Sequence, residues 1–153
     1  MKLSGALNIS NDIMRVRAFT LGGQSFKVRV PLATEMEAIS DKVLNVDSSK
    51  KFAEMMAPLL EKRAELESET IKYVGDDAIV DGKSIKELSK LTAQTECRIT
   101  EMIRLLVPAA EGFDMTTIEY SDIESEFPFA IQLELMKKIS EVIAPGYEET
   151  RKN

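Results

Sequence analysis

Apolar and polar residues alternate between residues 14 and 30, on both sides of the sequence Leu21-Gly22-Gly23-Gln24. Alternation with a period of two is typical of β-strands, and glycines between two such runs favour a tight turn. The pattern therefore predicts a β-hairpin near the start of the chain.

The register of this hairpin depends on the length of its loop. A two-residue Gly22-Gly23 turn would set Ala18 against Lys27 and Val16 against Arg29, so that both faces would be mixed. A three-residue loop, from Leu21 to Gly23, keeps the apolar side chains together, and we predict this register. Its apolar pairs are Ala18–Phe26, Val16–Val28 and Met14–Val30, and its basic pairs are Arg17–Lys27 and Arg15–Arg29.

Beyond Pro31, apolar residues recur at helical spacing and predict about four helices. The first begins at a capping box formed by Thr34 and Glu37, and the second begins near Ser48. Pro58 is expected to kink the second helix, which ends in the charged run 61–69. The first helix carries Met36, Ile39, Val43 and Leu44 inward, and the second carries Phe52, Met55, Met56, Leu59 and Leu60.

The longest helix is predicted between Ser84 and Pro108. Ser84 and Glu87 form a second capping box at its start, and Pro108 is expected to end it. Residues 71–81, just before it, form either a small second hairpin or an irregular connection. The apolar residues at helical spacing are Ile85, Leu88, Leu91, Ile99, Met102, Ile103 and Leu106.

The last predicted elements are a short turn capped by Ser121 and Glu124 and a helix over residues 129–143, stopped by Pro145-Gly146. All the elements together predict an α+β fold, mostly helical, with an N-terminal β-hairpin packed on about four α-helices. Residues 14–147 contain no repeat and no Pro- or Ser-rich linker, which indicates a single globular domain. The flanking segments are expected to be a flexible arm, 1–13, and a frayed charged tail, 148–153.

Composition restricts the chemistry open to this chain of 153 residues, which has no histidine and one cysteine, Cys97. Without imidazole there is no Ser-His-Asp triad, no histidine general base and no zinc site with histidine ligands. Cys97, with no histidine to activate it, is expected to be a packing residue. A mechanism that depends on a carboxylate or a lysine is still allowed, so composition alone does not indicate a function.

The net charge of −6 argues against nucleic acid and anionic membranes as partners. No apolar leader follows Met1, and no run reaches the roughly 20 apolar residues of a membrane helix, so a cytoplasmic protein is expected. Positive charge is concentrated in residues 1–31. Its hairpin cations, Arg15, Arg17, Lys27 and Arg29, could pair with acidic helices of the same chain or bind an acidic protein partner. Nucleic acid is the least favoured partner, because no aromatic residues lie between these cations for base stacking.

Two other motifs have simple structural explanations. Six acidic residues between 111 and 126 lack the spacing of a calcium loop, so a solvated face is expected there rather than a metal site. Asp81-Gly82-Lys83-Ser84 ends like a phosphate-binding loop, but Asp77 stands where that motif requires glycine. A hairpin turn leading into a capped helix accounts for the same residues.

Two segments resemble tail assembly chaperones of long-tailed bacteriophages. Phe19 to Pro31, followed by the helix start at Thr34, resembles the beginning of these proteins. Glu126 to Leu133, continuing through Met136 to Ile139 and then Tyr147 to Asn153, is similar to the end of their short product.

The resemblance implies a small, acidic, non-enzymatic protein, with no catalytic residue and no cofactor, that is made in the host cytoplasm and is absent from the mature virion. A carboxylate-dependent enzyme is the alternative from a different class. Such a chaperone binds the tape-measure protein and, through a form extended by programmed frameshifting, recruits the major tail protein. Arg151-Lys152-Asn153 can be encoded by a sequence on which ribosomes slip, although only the codons decide this.

An amphipathic helical face suits a chaperone that covers another chain's apolar helices. We predict that Met55, Met56, Leu59 and Leu60 form this face, with the four hairpin cations as a second partner-binding set. Self-association through the same faces is an open alternative, and the alternative function is a structural virion protein of the phage tail, in the tube or its completion.

Overall fold

The structure, a computed structural model, describes residues 2–10, 14–68 and 70–144. It is 56% helical and has an antiparallel hairpin near the N-terminus, which confirms the predicted α+β class. The helices are α1 (Leu3–Ala6), α2 (Ala33–Leu44), α3 (Ser49–Glu61), α4 (Arg63–Leu66), α5 (Ile85–Ile103), α6 (Tyr120–Glu126) and α7 (Phe129–Ile143), with a 3-10 turn at Met115–Thr117. The strands are β1 (Val16–Leu21), β2 (Gln24–Arg29), β3 (Ile71–Val74), β4 (Asp77–Val80) and β5 (Lys83–Ser84).

The chain divides into two compact units. The first comprises Met1–Ile39 and Arg98–Asn153, and the second comprises Ser40–Cys97. Each has its own cluster of buried apolar side chains. The single domain predicted over 14–147, which implies one cooperative unfolding transition, stays a prediction.

The hairpin of the first unit turns on two residues, Gly22 and Gly23, not three. Both have positive φ, 59° and 78°, a conformation that glycine adopts without steric penalty. The predicted register is therefore wrong. In the observed one, Phe19 opposes Phe26, Arg17 opposes Val28, Ala18 opposes Lys27 and Val16 opposes Arg29.

Two aromatic rings explain the observed register. The rings of Phe19 and Phe26 stack with centroids 5.2 Å apart and an interplanar angle of 12°. Val28 shares their face and is fully buried, whereas Ala18 on the opposite face is exposed. Burying phenylalanine removes more apolar surface from water than burying alanine, so the register that encloses Phe19 is favoured.

The backbone after α5 leaves the helix to pair with β2. The Arg29 N–H donates to the Leu105 carbonyl at 2.8 Å, and the Val107 N–H donates to the Lys27 carbonyl at 2.8 Å. The prediction that Pro108 ends the helix is wrong, because the open edge of β2 satisfies these backbone groups first.

Helix α7, which spans the predicted range, packs against both strands of the hairpin. Its residues Leu135 and Ile139 are buried there, and α5 and α6 complete the core. The buried members of this core are Phe19, Val28, Ile99, Met102, Ile103, Leu105, Ile123, Leu135 and Ile139.

The second unit contains a three-stranded antiparallel sheet in the order β3-β4-β5. Its first two strands confirm the hairpin interpretation of residues 71–81. Helix α3 contacts β4, and the Tyr73 hydroxyl donates to the Leu59 carbonyl at 2.7 Å. Met56, Ala78 and Ile85 are buried between these elements, surrounded by Phe52, Met55, Leu59, Tyr73, Val80 and Leu88.

Leu44, Leu60 and Leu91 are exposed, although helical spacing directs them inward. On α5 the reason is visible, since Ser89 and Ala93 are buried where Leu91 is not. Small side chains occupy the inward positions, and the Ser89 hydroxyl is satisfied by donating to the Lys86 carbonyl at 2.8 Å. A pattern that counts only large apolar residues cannot identify such positions.

The predicted capping box at Ser84 is supported by its hydroxyl, which accepts from the Glu87 N–H at 3.3 Å. The box at Thr34 is not formed. Helix α2 begins at Ala33, and Glu35 instead accepts from the Leu32 N–H at 3.3 Å.

The predicted cap at Ser121 and Glu124 is also replaced. Helix α6 begins at Tyr120, and Asp122 Oδ2 accepts from the Glu119 N–H at 2.9 Å. The observed capping box, with Glu119 as the N-cap and Asp122 at the third helical position, therefore begins two residues before the predicted one.

Of the predicted arm, 1–13, the structure describes residues 2–10, which include the helical turn α1 with no buried residue. Residues 1 and 11–13 lie outside the described residues. The predicted stop at Pro145-Gly146 and the tail 148–153 lie outside the described residues.

We expect Phe19→Ala to lower the free energy of unfolding by about 3 kcal/mol, because it removes one ring of the stacked pair from the core. Ala18→Ser, on the exposed face of the same strand, should change it by less than about 0.5 kcal/mol. Denaturant unfolding followed by circular dichroism measures both. Equal effects of the two substitutions would contradict the observed register.

Candidate partner-binding surfaces

The first candidate set comprises the four basic residues of the hairpin. Two of them form ion pairs with Glu35. Arg15 Nη2 donates to Glu35 Oε1 at 2.6 Å, and Arg29 Nη1 donates to Glu35 Oε2 at 2.8 Å. Arg15 Nε also donates to the Val30 carbonyl at 2.9 Å. Two of the four cations therefore hold the start of α2 against the hairpin, as expected if the cations pair with acidic helices of the same chain.

The two guanidinium groups change the acidity of Glu35. Hydrogen bonding from Arg29 is the largest cause; burial opposes it, and hydrogen bonds from Leu32 and Arg15 add to it. The result is a pKa of about 2 for Glu35, against an ordinary value of 4.5. The carboxylate therefore stays ionised, and stabilises this junction, across the neutral and mildly acidic range.

The other two cations, Arg17 and Lys27, are exposed and lie on opposite faces of the hairpin. Arg17 Nη1 donates to the Met14 carbonyl at 2.9 Å. The predicted face of four directly opposed cations does not exist, because the two-residue turn shifts one strand by a residue and reverses its faces.

The second candidate set, on α3, is mostly core. Met56 is 2% exposed, and Met55 and Leu59 pack around it. Only Leu60, 55% exposed, projects from this set into solvent. The structure thus assigns Met55, Met56 and Leu59 a packing role, which sequence alone could not separate from a binding face, because the same helical period describes both.

The loop that resembles a phosphate-binding motif is closed by a side chain. Asp77 Oδ1 accepts from the Lys86 N–H at 3.0 Å, and Asp77 Oδ2 accepts from the Ser84 hydroxyl. Burial tends to raise the pKa of Asp77, but hydrogen bonds from Ser84, Ala78 and Lys86 outweigh it and hold the pKa below its usual value. The carboxylate occupies the start of α5, where a bound anion would otherwise lie.

The acidic stretch between 111 and 126 is exposed, and two of its carboxylates serve local turns. Asp114 accepts from the Thr116 N–H at 2.9 Å, and Asp122 caps α6 as described. Within residues 2–10, 14–68 and 70–144, no group of three or more acidic or cysteine side chains is arranged to hold a metal ion. Cys97, on α5, is partly buried.

A buried glutamine shapes a surface that the sequence analysis did not single out. Gln132, on α7, is 1% exposed. Its Oε1 accepts from the Tyr120 hydroxyl at 2.7 Å, and its Nε2 donates to the Phe127 carbonyl at 2.8 Å. Both ends of the side-chain amide therefore fix the junction between α6 and α7.

This junction presents two aromatic rings to solvent. Phe127 is 36% exposed and Phe129 is 53% exposed, on either side of Pro128. Every residue from Glu124 to Ala130 is exposed. We call this segment the α6–α7 junction. The signal in the sequence was the pair Phe127 and Phe129 on either side of Pro128, beside acidic residues.

Comparison of the chain with protein families, curated proteins and solved structures finds no match. No helix in the described part of the chain is long and apolar enough to span a membrane. A functional assignment therefore depends on the resemblance of the hairpin and of the α6–α7 segment, and on the surfaces described above.

We expect Glu35→Gln to lower the free energy of unfolding at pH 7 by about 1 kcal/mol, since it weakens two charge-assisted hydrogen bonds at a partly exposed site. The difference from the unmodified chain should persist above pH 4.5 and disappear as the pH falls toward 2, because the pKa of Glu35 is lowered in the folded state. Denaturant unfolding at several pH values measures this. Glu37→Gln, an exposed position on the same helix, is the control, and an equal loss there would contradict the proposed ion pair.

We expect Met56→Ala to lower the free energy of unfolding of the second unit by about 2–5 kcal/mol, because it leaves a cavity in the core. Leu60→Glu, on the same helix but in solvent, should change it by less than about 0.5 kcal/mol. Thermal unfolding followed by circular dichroism compares them. Equal changes of the free energy of unfolding in the two variants would contradict the buried position of Met56.

Proposed function

We propose that this protein is a non-enzymatic tail assembly chaperone of a long-tailed bacteriophage. It binds the tape-measure protein during assembly and, in a form extended by frameshifting, helps to recruit the major tail protein. It works in the host cytoplasm and is absent from the mature virion. No cofactor, metal or nucleic acid takes part.

One observation carries the proposal. The two segments that resemble such chaperones, Phe19 to Pro31 and Glu126 to Ile139, lie far apart in the sequence but belong to the same compact unit. There α7 packs on β1 and β2, and both segments contribute to one core. Two unrelated chance similarities would not be expected to contribute to the same core. The packing of the two segments against each other therefore supports the resemblance of both to one family.

The exposed surface supports a role in adhesion. Phe127 and Phe129 face solvent on a junction fixed by Gln132, where aromatic groups can cover apolar groups of another chain. Two motifs that could suggest a binding site for a charged ligand are occupied by contacts within the fold. Glu35 pairs with arginines of the hairpin, and Asp77 closes the loop that resembles a phosphate-binding motif.

The proposal is tested by capturing a tagged copy of the full chain from infected cells and identifying its partners by mass spectrometry. We expect the tape-measure protein to be enriched well above its level in a capture with an equally tagged capsid protein. Purified phage particles should contain the chain at far less than one copy per tail.

A chain found at a fixed copy number in mature particles would instead establish the structural virion protein. Failure to enrich the tape-measure protein, with the tagged copy folded and the phage viable, would contradict the chaperone role.

A further inference from the structure

The α6–α7 junction lies in a long region of uniform negative charge. Between Arg104 and Lys137 the chain has no basic residue. Its seven carboxylates are all exposed: Glu111, Asp114, Glu119, Asp122, Glu124, Glu126 and Glu134. Among the described residues, none of them forms a salt bridge with a lysine or arginine side chain.

The backbone that carries the two exposed rings at this junction is held by contacts within the fold. Phe127 has its carbonyl bound by the buried Gln132 amide, and Phe129 is the first residue of α7. Pro128 between them has a restricted backbone. A segment whose backbone is already ordered loses less conformational entropy on binding, so these rings are suited to contact an apolar surface.

We propose that the α6–α7 junction docks an amphipathic helix whose apolar stripe is flanked by lysine or arginine. Phe127 and Phe129 contact the stripe, and Glu124 and Glu126 pair with the flanking cations. Charge complementarity selects this partner, because an acidic helix or a nucleic acid would be repelled by the same carboxylates. That the helix belongs to the tape-measure protein rests on the function proposed above.

The test measures binding of the full chain to a fluorescent synthetic peptide of leucine and lysine, about 18 residues long and amphipathic as a helix. In fluorescence anisotropy, the double variant Phe127→Ser, Phe129→Ser should raise the Kd about tenfold or more. Phe113→Ser, which changes an exposed phenylalanine outside the segment from Glu124 to Ala130, should leave the Kd within about twofold.

Charge is tested separately with the double variant Glu124→Gln, Glu126→Gln. It should weaken peptide binding several-fold at low salt and reduce the dependence of the Kd on salt concentration. A peptide with glutamate in place of lysine should not bind. If the phenylalanine variant does not fold, as judged by circular dichroism, these two charge measurements decide the question.

Several results would overturn the docking site. These are an equal loss of binding in Phe113→Ser, equal binding of the glutamate peptide, and a Kd unaffected by either double variant. Sedimentation showing a dimer of the unmodified chain that the phenylalanine variant abolishes would mean that a second copy occupies the junction instead.

The outcomes also separate this inference from the proposed function. If the phenylalanine variant captures the tape-measure protein from infected cells as well as the unmodified chain does, the docking site is wrong and the chaperone role is unaffected. If the peptide binds as expected while the unmodified chain captures no tape-measure protein, the chaperone role fails and the docking site is retained.

Discussion

Stacking of Phe19 on Phe26 is the interaction on which the first unit depends. It sets the register of the hairpin, which places Val28 inward against α7 and leaves Ala18 in solvent. The same register leaves the outer edge of β2 free to bind the backbone after α5, so that the long helix ends at Ile103. A shift by one residue would exchange the faces of β1 and undo all three arrangements.

Within each unit, charged and polar side chains join helices and strands that apolar packing brings near one another. Glu35 connects the hairpin to α2 through two arginines, Asp77 closes the start of α5, and Gln132 ties α6 to α7. Each of these groups has its hydrogen bonds satisfied within the fold, which makes it a structural element rather than a free binding group. At the α6–α7 junction, by contrast, two phenylalanine side chains stay exposed beside acidic residues.

A protein whose buried and partly buried polar groups are hydrogen-bonded within the fold is suited to binding another chain through its exposed apolar groups. The proposed chaperone role needs a surface that holds apolar groups of another chain and releases them later. Two exposed aromatic rings on a fixed backbone, among carboxylates that form no salt bridge with another described residue, provide such a surface. The charge around the rings favours basic partners over acidic ones. The resemblance to tail assembly chaperones and the geometry of the junction point to the same region of the chain by separate routes.

The sequence by itself determined the elements that local patterns control. Helix α7, the hairpin at 14–30 and the start of α5 at Ser84 follow from the sequence, because periodicity and capping act over a few neighbouring residues. The hairpin at 71–81 was one of two alternatives that the sequence left open. Only the tertiary structure decided which faces are buried. The hairpin register, the use of Met55, Met56 and Leu59 as core, and the buried positions of Ser89 and Gln132 depend on side chains distant in sequence. Whether a residue is buried depends on the side chains that pack against it, and the local pattern of the sequence does not specify which distant side chains these are.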